Sequence, residues 1–345
     1  MTERHPTRRA VISKMAIAAG LILGAGAMQP AWAQAGRITI GTNPTGSSYY
    51  VIGSALASAL TEKLGGIAVA QPATGSSVNL PLIASGELTM AVSSSLDGGL
   101  FYRGGEGIKP HSSLRTLVRL TDFPYAYLVR ENSGLRTIGD LKGKRVAMKL
   151  SGNLALESAN VAMLASAGLS EKDITNITMA GLTQGLKAVA DGTIDAAPMS
   201  TSMPIVQELN ATIPGGVRIL TLDGPNATTT FLSKEVPGLY AFPIEPAPNR
   251  PGVHRGTVVT GFDVFLLGSA DMPEARAKAV VEALLASWDD MRKKYPQLAH
   301  STVQDLSLPT NAVPYHPGAI AAFKAKGMWS AANVEREQQF ATKKN

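Results

Sequence analysis

Short runs rich in β-branched residues alternate with runs of helical period along this chain, and the alternation passes through two cycles. Such a chain is steered toward parallel strands covered by helices, because each strand must return to its neighbour through a crossover. The first cycle opens on Arg37-Ile38-Thr39-Ile40-Gly41, a β-rich run ending in glycine. Residues 49–63 then show helical spacing, with Ile52, Leu56, Leu60 and Leu64 four apart. Strands are predicted at 67–70 and 88–92, with a helix at 78–84 whose Pro81 falls in the first turn, where a missing N–H costs little. Residues 114–118 and 125–129 read as two further strands.

The second cycle begins at Ile138. It has a strand at 146–148, a helix from Leu154 that stops at Gly168, a helix at 183–190 that stops at Gly192, and strands at 194–197 and 217–222. The proline-rich stretch 239–253 has no periodicity and reads as a loop. A long apolar strand follows at 258–267, then a helix over 273–295 with Asp271 as its N-cap and Pro273 in its first turn. The strands 125–129 and 258–267 lie at the boundaries of the cycles. The expected fold is therefore α/β and two-lobed, each lobe a mostly parallel sheet with flanking helices, joined by two hinge connections. Residues 34–124 plus 268–345 would form lobe I, and 125–267 lobe II with the hinge strands.

The N-terminus carries a transport address. Thr7-Arg8-Arg9-Ala10-Val11-Ile12-Ser13-Lys14 has the twin-arginine pattern, and a Gly/Ala/Leu-rich run extends from Met15 to Met28. That run falls short of the roughly 20 apolar residues a spanning helix needs. Ala31-Trp32-Ala33 supplies a small-x-small cleavage site. Residues 1–33 are thus expected to be an export signal, cleaved near Ala33, with a periplasmic mature chain beginning at Gln34. Val11 stands where the twin-arginine pattern usually has Phe, so general secretion stays open beside it.

Composition narrows the function. The chain has no cysteine, hence neither disulfide nor thiolate nucleophile. Of the net charge of +6, the signal contributes +3 (Arg4, Arg8, Arg9 and Lys14 against Glu3), leaving +3 for the mature chain. No basic run interleaved with aromatics is present, so nucleic acid is not an expected partner. The histidines His5, His111, His254, His300 and His316 are scattered without metal-ligand spacing, and no metal or cofactor is expected. There is no G-x-S-x-G elbow and no Walker loop. A monomer without enzymatic activity is expected.

Ligands of open α/β sheets bind beyond the C-terminal ends of strands. Four loops qualify, each rich in Gly, Ser or Thr and next to a predicted helix N-terminus. The first contains Thr45, Gly46, Ser47, Ser48 and Tyr49. The second contains Thr74, Gly75, Ser76 and Asn79. The third is Ser151-Gly152-Asn153, and the fourth includes Ser200 and Thr201. Amides without intrahelical partners, together with the positive end of the helix dipole, favour an anion there. Ser and Thr at these positions also serve as plain helix caps. Ser94 and Ser95, in Val92-Ser93-Ser94-Ser95-Leu96-Asp97, form another candidate edge. His316 in its Pro-Gly turn reads as structural.

Several motifs occur in a telling order: Gly41-Thr42-Asn43-Pro44-Thr45-Gly46-Ser47-Ser48-Tyr49-Tyr50, Ala73-Thr74-Gly75-Ser76-Ser77-Val78-Asn79, Ala84-Ser85-Gly86-Glu87, Leu141-Lys142-Gly143-Lys144-Arg145-Val146, and Pro314-Tyr315-His316-Pro317-Gly318-Ala319 followed by Phe323-Lys324 and Gly327. In this order they resemble the TAXI family, the solute receptors of TRAP-type secondary transporters, over residues 37–329. The resemblance implies a type II periplasmic-binding-protein architecture. It implies a receptor that captures a small organic anion, a carboxylate or amino acid, between its lobes and delivers it to TRAP-type permease subunits. Asn43 and Pro44 stand where that family usually has glycines, and Ser94 and Leu96 replace its usual Gln and Asp. Two other readings keep the fold: a receptor reporting to a membrane kinase, and an enzyme.

Overall fold

The structure, a computed structural model, describes residues 37–105 and 107–342, with Thr2 standing alone before them. The export signal assigned to 1–33 lies, Thr2 apart, outside the described residues. The chain runs β1 (Ile38–Thr42), α1 (Ser48–Leu64), β2 (Ala68–Pro72), α2 (Ser76–Ser85), β3 (Met90–Ser94), α3 (Ser95–Arg103) and β4 (Leu114–Arg130). It continues with β5 (Arg145–Leu150), α4 (Ala155–Ser166), β6 (Thr175–Met179), α5 (Leu182–Ala190), β7 (Ala197–Ser200), α6 (Pro204–Thr212) and β8 (Val217–Ile219). Then come α7 (Thr229–Glu235), β9 (Tyr240–Ile244), β10 (Thr257–Ser269), α8 (Glu274–Lys294), α9 (Pro317–Ala325) and α10 (Ala331–Thr342).

Two strands organise everything else. β4, of 17 residues, and β10, of 13, pair antiparallel from Tyr125↔Thr260 to Leu114↔Ser269. At one end β10 also pairs with β3, extending the parallel set β2-β1-β3. At the other end β4 takes β7 and β8, and β10 takes β9. The parallel pair β5-β6 forms a second small sheet, bridged to the chain before β7 by Val146↔Ala196. One lobe thus gathers on β1–β3 and the other on β5–β9. The expected boundaries at 124/125 and 267/268 fall inside β4 and β10.

The expected pair of strands at 114–118 and 125–129 is one continuous strand. Pro124 looks like a breaker in sequence, but it sits opposite Gly261 in the middle of β4. Two irregularities in register follow further along, at Val264/Phe265 and Leu266/Leu267, where Leu120 and Leu117 of β4 are the extra residues. The stretch expected as a loop at 239–253 contains β9, whose Pro243 pairs with Val258 at the edge of the sheet, where a missing donor is tolerated.

Helix α1 shows why the sequence folds as it does locally. Ser47 caps it by accepting from the Tyr50 amide at 3.2 Å, and Gly65 closes it at φ 67°, a left-handed conformation that favours glycine. Its Ile52, Leu56 and Leu60 are fully buried against the sheet. Aromatic rings fill the middle of the long strands: Phe123 stacks on Phe262 at 5.2 Å, Tyr49 meets Phe123 edge-on at 5.2 Å, and Tyr125 lies 5.5 Å from Phe262.

On the long strands Arg119 donates to Asp263 at 2.7 Å, both side chains being 8% exposed. Removing one partner strands a charge away from water, which costs more than the pair contributes. Arg119→Met is therefore expected to destabilise the protein by about 3–5 kcal/mol. Adding Asp263→Leu should restore most of that loss. Urea unfolding midpoints of wild type, single and double variants check it. A single variant as stable as wild type would show that the pair does not anchor the strands.

Candidate functional site

The loops after β1 and β2 meet those after β5, β6 and β7 across the seam between the lobes. Pro44 and Ser47 to Tyr49, with Asn43 and Thr74, wall one side of a cavity; Phe123 of β4 forms its base. Leu182, Thr183 and Met203 close the other side. Helix starts account for most of these positions. Ser47 is the N-cap of α1, and Leu182 and Thr183 form the first turn of α5. The first amides of both helices have no intrahelical acceptor, so the two dipoles bring positive ends to one place. The cavity they enclose is small, with room of ≈ 10 Å³ for the centre of a water.

The lobes touch directly around it. The Ser77 amide donates to Gly152 O at 3.0 Å, and the Leu154 amide donates to Ser77 Oγ at 2.8 Å. Ser48 Oγ lies 2.8 Å from Ser202 Oγ, and Gln297 Nε2 donates to Ser202 O at 3.2 Å. At Gly75 the two backbones lie against each other. Its conformation is extended and open to any residue, but a Cβ there would stand 2.0 Å from Gly152 O and 2.6 Å from Asn153 Oδ1.

A buried carboxylate holds the same seam. Asp97, fully buried in the first turn of α3, accepts from Ser94 Oγ at 2.8 Å and from Ser77 Oγ at 3.4 Å. From the opposite lobe it accepts from the Ala155 amide, the first residue of α4, at 3.3 Å. Burial pushes its pKa up, opposed by the hydrogen bonds from Ser94, Ala155, Asn153 and Ser77. Its charge reaches the cavity wall: burial first, then the Asp97 charge, raises the Tyr49 hydroxyl.

Of the residues expected from sequence, Ser47, Ser48, Tyr49 and Thr74 share this cavity. Gly75, Gly152 and Asn153 form the seam beside it. Thr45 is exposed on the turn, and Gly46 lies beside Ile205 at φ 85°. Ser76 is buried in the first turn of α2 with its Oγ unpartnered. Asn79 Nδ2 ties α2 to Thr42 O at 3.0 Å within one lobe. Ser94 caps α3 and serves Asp97. Ser95 faces a separate groove with Arg103 and Gly238. Ser151 is exposed and reaches only Ala180 O, at 3.5 Å. Ser200 is buried and bonds Ser202 Oγ at 3.0 Å, while Thr201 lines a groove of ≈ 210 Å³ on the hinge side with Asp122 and Arg250. His316 caps α9, accepting from Gly318 N at 3.1 Å, as a structural histidine would.

Sequence reasoning missed Phe123, Leu182, Thr183, Met203 and Asp97. The strand β6 was the available signal for two of them. Read as a strand, Thr175–Met179 would have marked Ala180–Thr183 as a further strand-to-helix loop. Among the described residues no cluster of His, Cys, Asp and Glu could hold a metal ion, and no helix is long and apolar enough to cross a membrane.

The architecture is the two-lobed fold of periplasmic binding proteins. A solved structure described as a periplasmic transporter matches with a TM-score of 0.53 at 14% identity, covering 88% of this chain and 97% of that one. MatC from Rhodopseudomonas palustris with bound malate matches at 0.51 and 14%, covering 88% and 98%. PhnD1 from Prochlorococcus marinus in complex with methylphosphonate matches at 0.50 and 11%, covering 72% and 84%. The sequence profile of the NMT1-like family matches residues 40–327, and the chain belongs to that family.

The seam makes a direct prediction. Because the atoms that a Gly75 Cβ would meet belong to the other lobe, Gly75→Val should spare each lobe and block their contact. We expect small-angle scattering to show a larger radius of gyration than wild type, with only a modest loss of thermal stability. Unchanged scattering, or collapse of the fold, would place the constraint within one lobe instead.

Proposed function

We propose that this chain is a periplasmic solute receptor of the TAXI type, which takes a small organic anion between its lobes and delivers it to a TRAP-type permease. The observation that carries this reading is the convergence of the α1 and α5 N-termini, one from each lobe, on one cavity. An anion seated there touches both lobes, so it favours their closed arrangement by differential contact. The ordered motifs from Gly41 to Gly327 support the transport assignment. MatC and PhnD1 share the fold and were solved with small anionic ligands, which agrees with the reading.

The energetics suit reversible capture. Hydrogen bonds to a charged group contribute roughly 1.5–3 kcal/mol each. A handful of them, less the cost of association and of ordering the lobes, corresponds to a Kd between about micromolar and nanomolar. Native mass spectrometry of protein purified from the periplasm should reveal a co-purified small carboxylate or amino acid. Adding that solute back to stripped protein at a hundredfold excess over Kd should stabilise it by about 2.7 kcal/mol. For a chain of this size that is a rise in Tm of several degrees. A broad panel of carboxylates and amino acids without any thermal shift would count decisively against the receptor reading.

Export belongs to the same proposal. The Arg8-Arg9 pair is the element a twin-arginine receptor reads. Replacing both with Lys should leave unprocessed precursor in the cytoplasm, detected by fractionation and blotting. Normal processing of the Lys-Lys variant would point to general secretion.

A further inference from the structure

The chemistry of the cavity wall narrows the solute, on the premise that this cavity is the receptor's site. Among the described residues that line it, none is Arg, Lys, His, Asp or Glu. Positive potential there comes from helix ends, each equivalent to roughly half an elementary charge. Three helices begin at the wall, α1, α5 and α6, though α6 opens on Pro204, which has no N–H to offer; no cationic side chain stands there to balance a second negative charge. On the seam an acid, Asp97, accepts from Ser77 in the loop after β2 and influences Tyr49 in the wall. A second carboxylate on the solute would enter a field of its own sign.

The rest of the wall is mixed: the hydroxyls of Ser47, Ser48, Thr74 and Thr183 alternate with apolar side chains. The Tyr49 and Phe123 rings stand 5.2 Å apart, with Pro44, Leu182 and Met203 around them. One buried polar atom of the wall is left without a partner. Asn43 is 5% exposed, and its Oδ1 has no hydrogen-bond partner. A buried acceptor left unmet is costly, and a donor on the solute would satisfy it; the amide can also turn over to present its NH₂.

We infer that the site selects a monocarboxylate that bears one hydrogen-bond donor and an apolar side chain, and that it discriminates against dicarboxylates. With the lobes parted enough to admit it, since the cavity as it stands has room of only ≈ 10 Å³ for the centre of a water, the carboxylate takes the helix ends, the donor meets Asn43 and the side chain lies on the Tyr49–Phe123 wall. Asp97 acts as the specificity residue against a second negative charge.

The test is isothermal titration of stripped mature protein with three matched probes: α-hydroxyisocaproate, isocaproate, which lacks the donor, and α-hydroxyglutarate, which adds a carboxylate. The first should bind at least about tenfold more tightly than either of the others. Asn43→Leu should erase the preference for the hydroxyl. Asp97→Asn should narrow the ratio between α-hydroxyisocaproate and α-hydroxyglutarate. If Asp97→Asn fails to fold, the wild-type ratio itself decides. Equal or tighter binding of α-hydroxyglutarate overturns the inference while leaving an anion receptor in place. No heat with any of the three also overturns it, and the co-purified solute then reports separately on whether the chain is a receptor.

Discussion

The pairing of β4 with β10 is the constraint on which the rest of this molecule depends. Both strands run through both lobes, so each lobe is built on half of the same ladder. Backbone hydrogen bonds make that ladder, and side chains weld its two faces. On one face Phe123 stacks on Phe262, and Tyr125 reaches across to accept a place beside α4, donating to Asn160 Oδ1 at 2.8 Å. On the other, Arg119 and Asp263 form an ion pair with little water around it, and the Tyr240 hydroxyl lies 3.5 Å from the same carboxylate. Lobes hung on a shared ladder can only approach or part by bending it. The register irregularities at Val264/Phe265 and Leu266/Leu267 are the places where β10 already departs from regular pairing.

Bending the ladder opens or closes the seam, and the seam is made mostly of backbone. Gly75 lets the loop after β2 lie against Gly152, and Ser77 both donates through its amide and accepts through its hydroxyl across the gap. Asp97 adds a carboxylate at the first amide of α4. That amide, of Ala155, lies just beyond the loop Ser151-Gly152-Asn153, which was expected as an anion site. The chain's own carboxylate already meets it. The α4 terminus is thus met from within, whereas the cavity lies at the starts of α1 and α5.

Most of the fold was legible as periodicity. The helix α1 and the strands β1 and β3 follow from spacing and from the glycines beside them, because burial of one face is written into residue order. The failures have a common cause. Pro124 and Asp122 look like turn residues, yet tertiary pairing with β10 carries β4 straight through them. The strand β6 is polar and only partly buried, so it shows neither alternation nor an apolar run. Without it the loop at Ala180–Thr183 had no topological reason to matter. The rule that ligands gather beyond strand ends picked out Ser47, Ser48, Tyr49 and Thr74, which line one cavity. It could not separate Asn79, a tie within one lobe, from residues that face the other. Asp97 stands in the candidate stretch Val92–Asp97, but its burial did not show there for a different reason. A carboxylate in a serine-rich turn is ordinary in sequence, and only the packing of α4 against α3 makes it a buried charge.

A wall without ionised side chains also bears on release. A receptor that hands its solute to a carrier must let go as readily as it binds. Ion pairs formed within a single lobe would keep hold of the solute after the lobes part. Helix ends divided between two lobes behave differently: with α1 on one side and α5 on the other, opening leaves the anion with about half of its compensating charge. Water then replaces the lost amides at little cost, since the solute never gave up a fixed counter-ion. On the proposed reading, the same bend in β4 and β10 that parts Gly75 from Gly152 halves the attraction for the solute. Capture and release become two positions of one ladder, with no separate device needed to expel the ligand.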